Sequence, residues 1–411
     1  MKVTGIVAEY NPLHKGHEYN LREAKRITGA DYIVVVMSGD FVQRGAPALC
    51  DKYMRSQMAL SAGADLVLEL PVCYSAASAE YFASASVAIF DRLGMIDNIC
   101  FGSECGNIEI LKKIAAVLAD EPFEFRQHLK AGLKEGKSYP VARAEALYSI
   151  SGDHYDISGI MNNPNNILGI EYLKALCRRN SAINPVTVKR LGSDYHEMRF
   201  EQDYSSALSI RTSLHDRCSV ESVRGQVSDN VYEMLANGYG HTLPVYTDDF
   251  SDLLKYKLLL ENEKSLRDFT DVSDALSSRI FRLLPKYKGY DAFCDELKTK
   301  EMTYTRISRA LLHILLDMKS EDFRQYVDSD FIEYARIIGF RENSGPLLKA
   351  VKSNATLSVV SKLADAKKAL SPLAMKMLDE TCRASLIYNS VAASKFGSDT
   401  VSEFERQINI L

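Results

Sequence analysis

A chain of 411 residues is too long for one small hydrophobic core, so two or three domains are expected. Its 46% hydrophobic and 25% charged residues are those of an ordinary globular protein, which excludes fibrous and disordered classes. A net charge of −4 gives no overall pull towards nucleic acid or acidic membranes, so any basic surface has to be local.

The first 120 residues alternate in kind. Apolar runs "VTGIVAEY", "DYIVVVMSG", "DLVLELP" and "DNICFGSE" read as strands buried on both faces. Between them, "KGHEYNLREAKRIT", "DKYMRSQMALSAG" and "SAEYFASASVAIFDRLG" read as helices, the last two ending at Gly63 and Gly94, where a helix stops readily. Strand and helix in turn predict an α/β fold: a Rossmann-like parallel sheet with right-handed crossovers. Sites in such sheets lie beyond the carboxyl ends of the strands. Residues 9–17, 37–47, 71–75 and 101–107 fall at that edge. Residues 107–182 are expected to be mostly helical, "PVTVKRLG" (185–192) to be one more strand, and "YSSALSIRTSLHD" (204–216) to be a loop entering a helix. This unit is expected to close near residue 220, giving a catalytic domain over 1–220 and a mainly α-helical region over 221–411. In the latter, "SDLLKYKLLLENEKSL", "VSDALSSRIFRLLPKY", "YTRISRALLHILLDM" and "DFIEYARIIGF" space apolar residues by three and four, as helices do.

The eight cysteines lack a CxxC pair, and Cys100 and Cys105 lack zinc-ribbon spacing, so reduced thiols in a cytoplasmic protein are expected. The N-terminus turns polar too soon for a signal peptide. No apolar stretch nears the ~20 residues a bilayer requires, so no membrane association is expected. The sequence carries no sign of oligomeric state.

Chemistry concentrates in "EYNPLHKGHEYNL", directly after the first strand. His14 and His17, three apart with Gly16 between, would stand in the first turn of a helix. Unpaired N–H groups and the helix dipole attract phosphate there, and imidazoles can donate to phosphate oxygens as charge grows in a transition state. In isolation the same residues would suit a capped helix with two surface histidines. A second element, "SALSIR", sets Ser206, Ser209 and Arg211 at another helix entrance. They could grip outer phosphates, or be an ordinary N-cap and an exposed arginine. P-loop, dinucleotide-binding and zinc-protease motifs are not found. His196 in "SDYHEM" could approach a nucleotide or simply occupy a loop.

Together the two elements resemble the H-x-G-H nucleotidyltransferase superfamily, which includes class I aminoacyl-tRNA synthetases. Ala207 and Leu208 stand where that superfamily's late phosphate loop usually has a further Ser and a Thr. More specifically, "GIVAEYNPLHKGH", "VMSGDFVQRGAPALCDKYMR", "GADLVLELP", "FGSE", "NNPNNILGIEYLKAL", "TVKRLGSDYH" and "YTRISRALLHILL" resemble the bacterial tRNA(Met) cytidine acetate ligases in the same order along nearly the whole chain. The resemblance implies an enzyme that activates acetate with ATP and acetylates N4 of the wobble cytidine of elongator tRNA(Met). It implies that Val7, Ala8, Glu9, Tyr10, Asn11, Pro12, Leu13, His14, Lys15, Gly16, His17, Glu18, Tyr19 and Asn20 line ATP, with His14 and His17 on its phosphates. Gly102 would admit the nucleotide, and Asn165 (or Asn166), Arg190 and Leu191 would complete its site. Magnesium is expected with the phosphates. Asp40 stands where that family suggests Asn, which would alter the acetate or cytidine pocket or do nothing.

For the tRNA, Arg306 and Arg309 beside Tyr304, with Lys349, Lys352, Lys367, Lys368 and Lys376, could neutralise phosphates or form solvated helix faces. Arg44, Lys52 and Arg55 are expected near the pocket, touching the anticodon loop or ATP. Two other readings remain open from sequence: a small-molecule cofactor adenylyltransferase, and a non-catalytic nucleotide- or RNA-binding protein.

Overall fold

The structure, a computed structural model, describes residues 1–151, 157–190 and 206–411. Strands β1 (Val3–Ala8), β2 (Tyr32–Ser38), β3 (Leu66–Leu70), β4 (Asn98–Ser103) and β5 (Asn184–Lys189) form where the apolar runs predict them. They pair in parallel in the order β3-β2-β1-β4-β5. The direction of winding therefore reverses between β1 and β4, and that switch point opens a crevice at the carboxyl ends of the two strands.

Both faces of the sheet are dry. Along β2, Ile33, Val35 and Met37 join one hydrophobic cluster while Val34 and Val36 join the other, as a period of two requires. Gly5 in β1 permits unusually close packing: a Cβ there would stand 2.8 Å from the Phe90 ring. Helix α1 (Lys15–Thr28) starts at His14, an extended residue whose own side chain caps it, and stops at Gly29, in the left-handed region at φ 64°. Leu21, Ala24 and Thr28 recur on its buried face. Helices α2 (Lys52–Ser61) and α3 (Ala79–Leu93) complete the first crossovers, and α4 (Pro164–Arg179) and α5 (Ala207–Arg217) enter the crevice from beyond β4 and β5.

The region past residue 220 is mainly helical, including α6 (Tyr304–Leu315), α7 (Gly345–Asn354) and α8 (Pro372–Phe396). One expectation fails there. "DFIEYARIIGF" is not a helix: β6 (Tyr334–Phe340) runs antiparallel to β3, with Leu66 opposite Phe340 and Glu69 opposite Arg336. The segment is buried on both faces, so its apolar residues have no single helical side to mark. β7 (Ser358–Val360) and β8 (Asn409–Ile410) flank β6. The strands beyond residue 330 thus extend the sheet built by the first half. No helix among the described residues is long and apolar enough to cross a membrane.

Candidate active site

A cleft of about 830 Å³ opens at the switch point. Its floor is the turn from β1 into α1. Tyr10 takes a positive φ of 47°. The Asn11 side chain accepts from the Leu49 N–H at 2.7 Å, and the Asn11 carbonyl accepts from Arg211 at 2.6 Å. Leu13 is fully buried. This anchored turn presents the histidines. The rings of His14 and His17 stack with centroids 3.7 Å apart, and Tyr10 meets His17 edge-on at 5.1 Å.

Both imidazoles are held neutral. Burial, with Arg190 adding to it, pushes His14 down to about 4. His17 is driven well below the usual histidine range by burial, then by His14 and Arg190. The Nδ1 of His14 accepts from the Gly16 N–H at 3.1 Å, which leaves the proton on Nε2 as a donor. The Nδ1 of His17 is buried and, among the described residues, meets no hydrogen-bond partner. An unanswered buried polar atom costs ~1–3 kcal/mol, which a ligand can recover.

Val7, Ala8, Glu9, Tyr10, Asn11, His14, Gly16, His17, Tyr19 and Asn20 line the cleft, and so do Gly102, Asn165 and Arg190. Pro12, Leu13, Lys15 and Glu18 lie outside the wall. A Cβ on Gly102 would stand 3.3 Å from Arg190 Cγ and 3.6 Å from Asn20 Nδ2, so glycine keeps that floor low. Leu191 and His196 lie outside the described residues.

Of the two candidate asparagines, Asn165 faces the cleft. Asn166 is buried, its amide oxygen accepting from the Cys105 N–H at 3.1 Å and its amide nitrogen donating to the Ile160 carbonyl at 3.2 Å. Glu104 explains their placement. Its Oε2 accepts from the Asn166 N–H at 2.8 Å, and its Oε1 from the Asn165 N–H at 3.3 Å and side-chain amide at 2.5 Å. This carboxylate on the first turn of α4 suits the helix dipole. The sequence signal for Glu104 is the acid of "FGSE" set against the "NNPNN" helix start, which has no side-chain cap of its own.

Ser206 reaches the wall, but its hydroxyl oxygen caps α5 by accepting from the Ser209 N–H at 3.1 Å. Ser209 is exposed and off the wall, and Arg211 stands behind Asn11 rather than in the cleft. Arg44 lines the opposite side from an exposed position on the short ribbon Phe41–Val42/Ala46–Pro47. Gly45 presses that ribbon onto α6: a Cβ there would sit 2.4 Å from the backbone nitrogen of Arg309, and φ is +75°. As a result Thr305 and Arg309 of α6 also line the cleft, and Arg309 pairs with Asp271 at 3.3 Å. Arg306 is exposed and faces away from the cleft wall.

Two expected pocket cations are elsewhere. Arg55 is fully buried and donates to the carbonyls of Cys50, Glu9, Ser38 and Gly39, tying the ends of β1 and β2 to α2. Lys52 is fully buried too, its Nζ 2.7 Å from Glu69 and 2.8 Å from Glu403. Arg336 joins the same carboxylates at 2.9 and 2.6 Å. Asp40 borders this cluster, accepting from the Lys52 N–H at 2.8 Å, and burial pushes its carboxyl up to about 6. It therefore belongs to the packing beneath the ribbon.

Lys349 and Lys352 sit on α7, at the other end of the sheet. Ser344, just before that helix, donates to the Asp65 carbonyl at 3.2 Å. A Cβ on Gly94 would stand 2.7 Å from the carbonyl oxygen of Asn354, the helix's last residue. Asp65 and Gly94 precede the amino ends of β3 and β4, so the two lysines face away from the cleft edge. Among the described residues, no group of three or more His, Cys, Asp or Glu could hold a metal ion.

A parallel sheet wound 3-2-1-4-5, with paired imidazoles at its first helix, defines a nucleotidyl transferase of the HIGH class. The model of the family described as HIGH Nucleotidyl Transferase matches residues 1–402. Over 396 residues the chain is 40% identical to the tRNA(Met) cytidine acetate ligase of Acetivibrio thermocellus, covering 94% of each chain. Over 392 residues it is 38% identical to that of Clostridium novyi, covering 95% of this chain and 97% of the relative. The crystal structure of Thermotoga maritima TmcAL bound with alpha-thio ATP superposes with a TM-score of 0.92 at 30% identity, covering 100% of both chains. The chain belongs to the tRNA(Met) cytidine acetate ligase family.

Proposed function

We propose that this protein is an ATP-dependent ligase that activates acetate as acetyl-adenylate and acetylates N4 of the wobble cytidine of elongator tRNA(Met), in the cytoplasm. The observation that carries the reading is the stacked, neutral His14–His17 pair at the amino end of α1, in a chain aligned end to end with a relative crystallised with an ATP analogue.

Acetate is a poor acyl donor because its leaving group would be oxide. In the first step an acetate oxygen attacks the α-phosphorus, the bond to the β-phosphate bridge breaks, and pyrophosphate departs. The Nε2–H of His14 is oriented to donate to phosphate oxygens as charge shifts, and His17 adds a second ring beside it. A neutral donor held in a dry setting needs no reorganisation at that moment. Gly102, Asn165 and Arg190 bound the nucleotide's other side. Magnesium would travel on the phosphate oxygens, since the cleft's carboxylates are Glu9 and Glu104 among the described residues and the latter is engaged by α4. In the second step the cytosine amine attacks the acyl carbon and AMP leaves. Alignment is the main requirement for so weak a nucleophile, and the wobble base already lies in a single-stranded loop.

The division of labour follows the chain: residues 1–220 hold ATP, and the helical region beyond supplies the tRNA platform. On the side of the cleft facing the helical region, Arg44 and Arg309 line the wall, and Arg306 is exposed on the same helix as Arg309. Lys349 and Lys352, on α7 at the other end of the sheet, lie away from this platform.

Incubation with ATP, labelled acetate and tRNA(Met) tests this reading. Label in N4-acetylcytidine is the expected result. Transfer of AMP to a small phosphorylated acceptor would replace the reading with a cofactor adenylyltransferase. ATP binding without turnover would replace it with a non-catalytic nucleotide- or RNA-binding protein.

A further inference from the structure

The second step sheds a proton. When the exocyclic amine of cytosine forms its bond to the acyl carbon, its nitrogen becomes cationic and has to lose one hydrogen before AMP can leave cleanly. Among the described residues, the histidines and carboxylates on the cleft wall are His14, His17, Glu9 and Glu104. Glu104 has both oxygens engaged by the first turn of α4. His14 spends Nδ1 on the Gly16 N–H and faces the cleft with a proton already on Nε2. His17 is stacked on His14, close to Arg190, and its protonation is suppressed by burial and by both neighbours.

Glu9 is different. It follows directly on β1, and one oxygen, Oε1, accepts from the Gln43 N–H at 2.9 Å. Among the described residues no donor meets Oε2. The Gln43 bond turns the carboxylate towards the ribbon, the side of the cleft shared with Arg44, Thr305 and Arg309, where the first half of the chain meets α6. Gly102, Asn165 and Arg190 bound the other side. A carboxylate would repel a triphosphate, but it suits an amine arriving from the helical region.

Resting on the function proposed above, we propose that Glu9 is the proton acceptor for the attacking cytidine amine. The amine lone pair forms the C–N bond, and the acyl C–O bond to the phosphate breaks with its electrons passing to AMP. One N–H proton moves to Glu9 Oε2, and Glu9 returns it to water once AMP has left. General-base assistance of this kind contributes ~10²–10⁴-fold.

The experiment separates the two steps in the full-length protein. Acetate-dependent exchange of pyrophosphate into ATP reads the first, and single-turnover transfer from pre-formed acetyl-adenylate to tRNA(Met) reads the second, from pH 5 to 8. For Glu9→Gln, which keeps the Gln43 hydrogen bond, transfer is expected to fall ~10²-fold or more while exchange changes far less. Its transfer rate should also lose the decline on acidification that the wild type shows. Glu9→Asp should recover part of the rate and the pH dependence, a rescue that a purely structural role would not give. An equal loss in both steps would make Glu9 a nucleotide-positioning residue and overturn the proposal. Unchanged transfer with an unchanged pH profile would overturn it in favour of the departing phosphate as acceptor. Absence of acetate-dependent exchange in the wild type would instead sink the ligase reading itself.

Discussion

Two buried polar regions of this molecule are built on opposite plans. Beneath the ribbon, Lys52 and Arg336 are enclosed by Glu69 and Glu403, with Asp40 alongside and Ser385 accepting from the lysine at 2.8 Å. Each cation there is answered by protein. At the mouth of β1, His14 is buried and His17 half-buried, yet among the described residues the Nδ1 of His17 has no partner, and Nε2 of His14 points its proton into a cleft. Burial of polar groups therefore does not by itself mark a site. What separates the two regions is whether hydrogen-bonding capacity is left over, and by that measure the cluster is structural and the histidine pair is for binding.

The contrast can be tested from the larger effect down. Lys52→Met removes one cation from an enclosed set of carboxylates, and the folded state should lose ~3–5 kcal/mol, read from the denaturant midpoint, with turnover per folded molecule retained. His17→Ala should do the reverse. Acetyl-adenylate formation should fall by ~10²–10³, with the melting temperature nearly unmoved and tRNA binding within severalfold. If tRNA binding is lost while adenylate synthesis stays normal, the histidine pair serves the tRNA and not ATP.

Acidification sharpens the comparison, because His14 and Asp40 titrate with opposite sign. His14 is held near 4 against 6.5 for a free imidazole, so the unfolded chain binds the proton first and stability drains away as pH falls from 6.5 to about 4. The lowered His17 adds to that loss. Asp40 is raised to about 6 from 3.8; here the folded chain binds the proton first, and stability is gained as pH falls through that window. Each of these two shifts is worth ~3 kcal/mol at most. Asp40→Asn, which keeps an oxygen for the Lys52 N–H, should steepen the loss of stability between pH 6.5 and 4, whereas His14→Asn should flatten it. Thermal melts across that range decide the matter, and identical slopes in both variants would refute the assignment. The smallest effect belongs to Lys349→Ala and Lys352→Ala on the far edge. Their tRNA affinity and its salt dependence should stay within about twofold of the parent, since no phosphate contact is removed.

Much of this was readable from residues alone where the information is local. Five apolar runs located β1 to β5, and "HKGH" directly after the first of them located the cleft. The resemblance across seven segments pointed to the family to which the chain belongs. What escaped depends on partners remote in sequence. Lys52 and Arg55 look like pocket cations for ATP or the anticodon loop until the carboxylates and carbonyls that enclose them are in place. Arg336 interrupts "YARIIGF" with a charge, so the run resembles one face of a helix, and only Glu69 and Glu403 make it tolerable in a strand. Asn165 and Asn166 are adjacent and alike, and it took Cys105 and Ile160 to show which amide is already spent. Arg309 looked like part of an outer basic face because nothing local reveals that Gly45 draws its helix against the ribbon.

Glu403 also has a bearing on how this protein is made. Tyr53, its hydroxyl partner, and Glu403 are 350 residues apart, so one of the two counter-charges for Lys52 leaves the ribosome long after the lysine itself. Until then a nascent chain carries a lysine and an arginine whose enclosure lacks a wall, along with an edge strand still waiting for Asn409 and Ile410. Trimming the final ten or so residues would remove nothing from the cleft, yet it would reopen the molecule at the point where its two halves are joined.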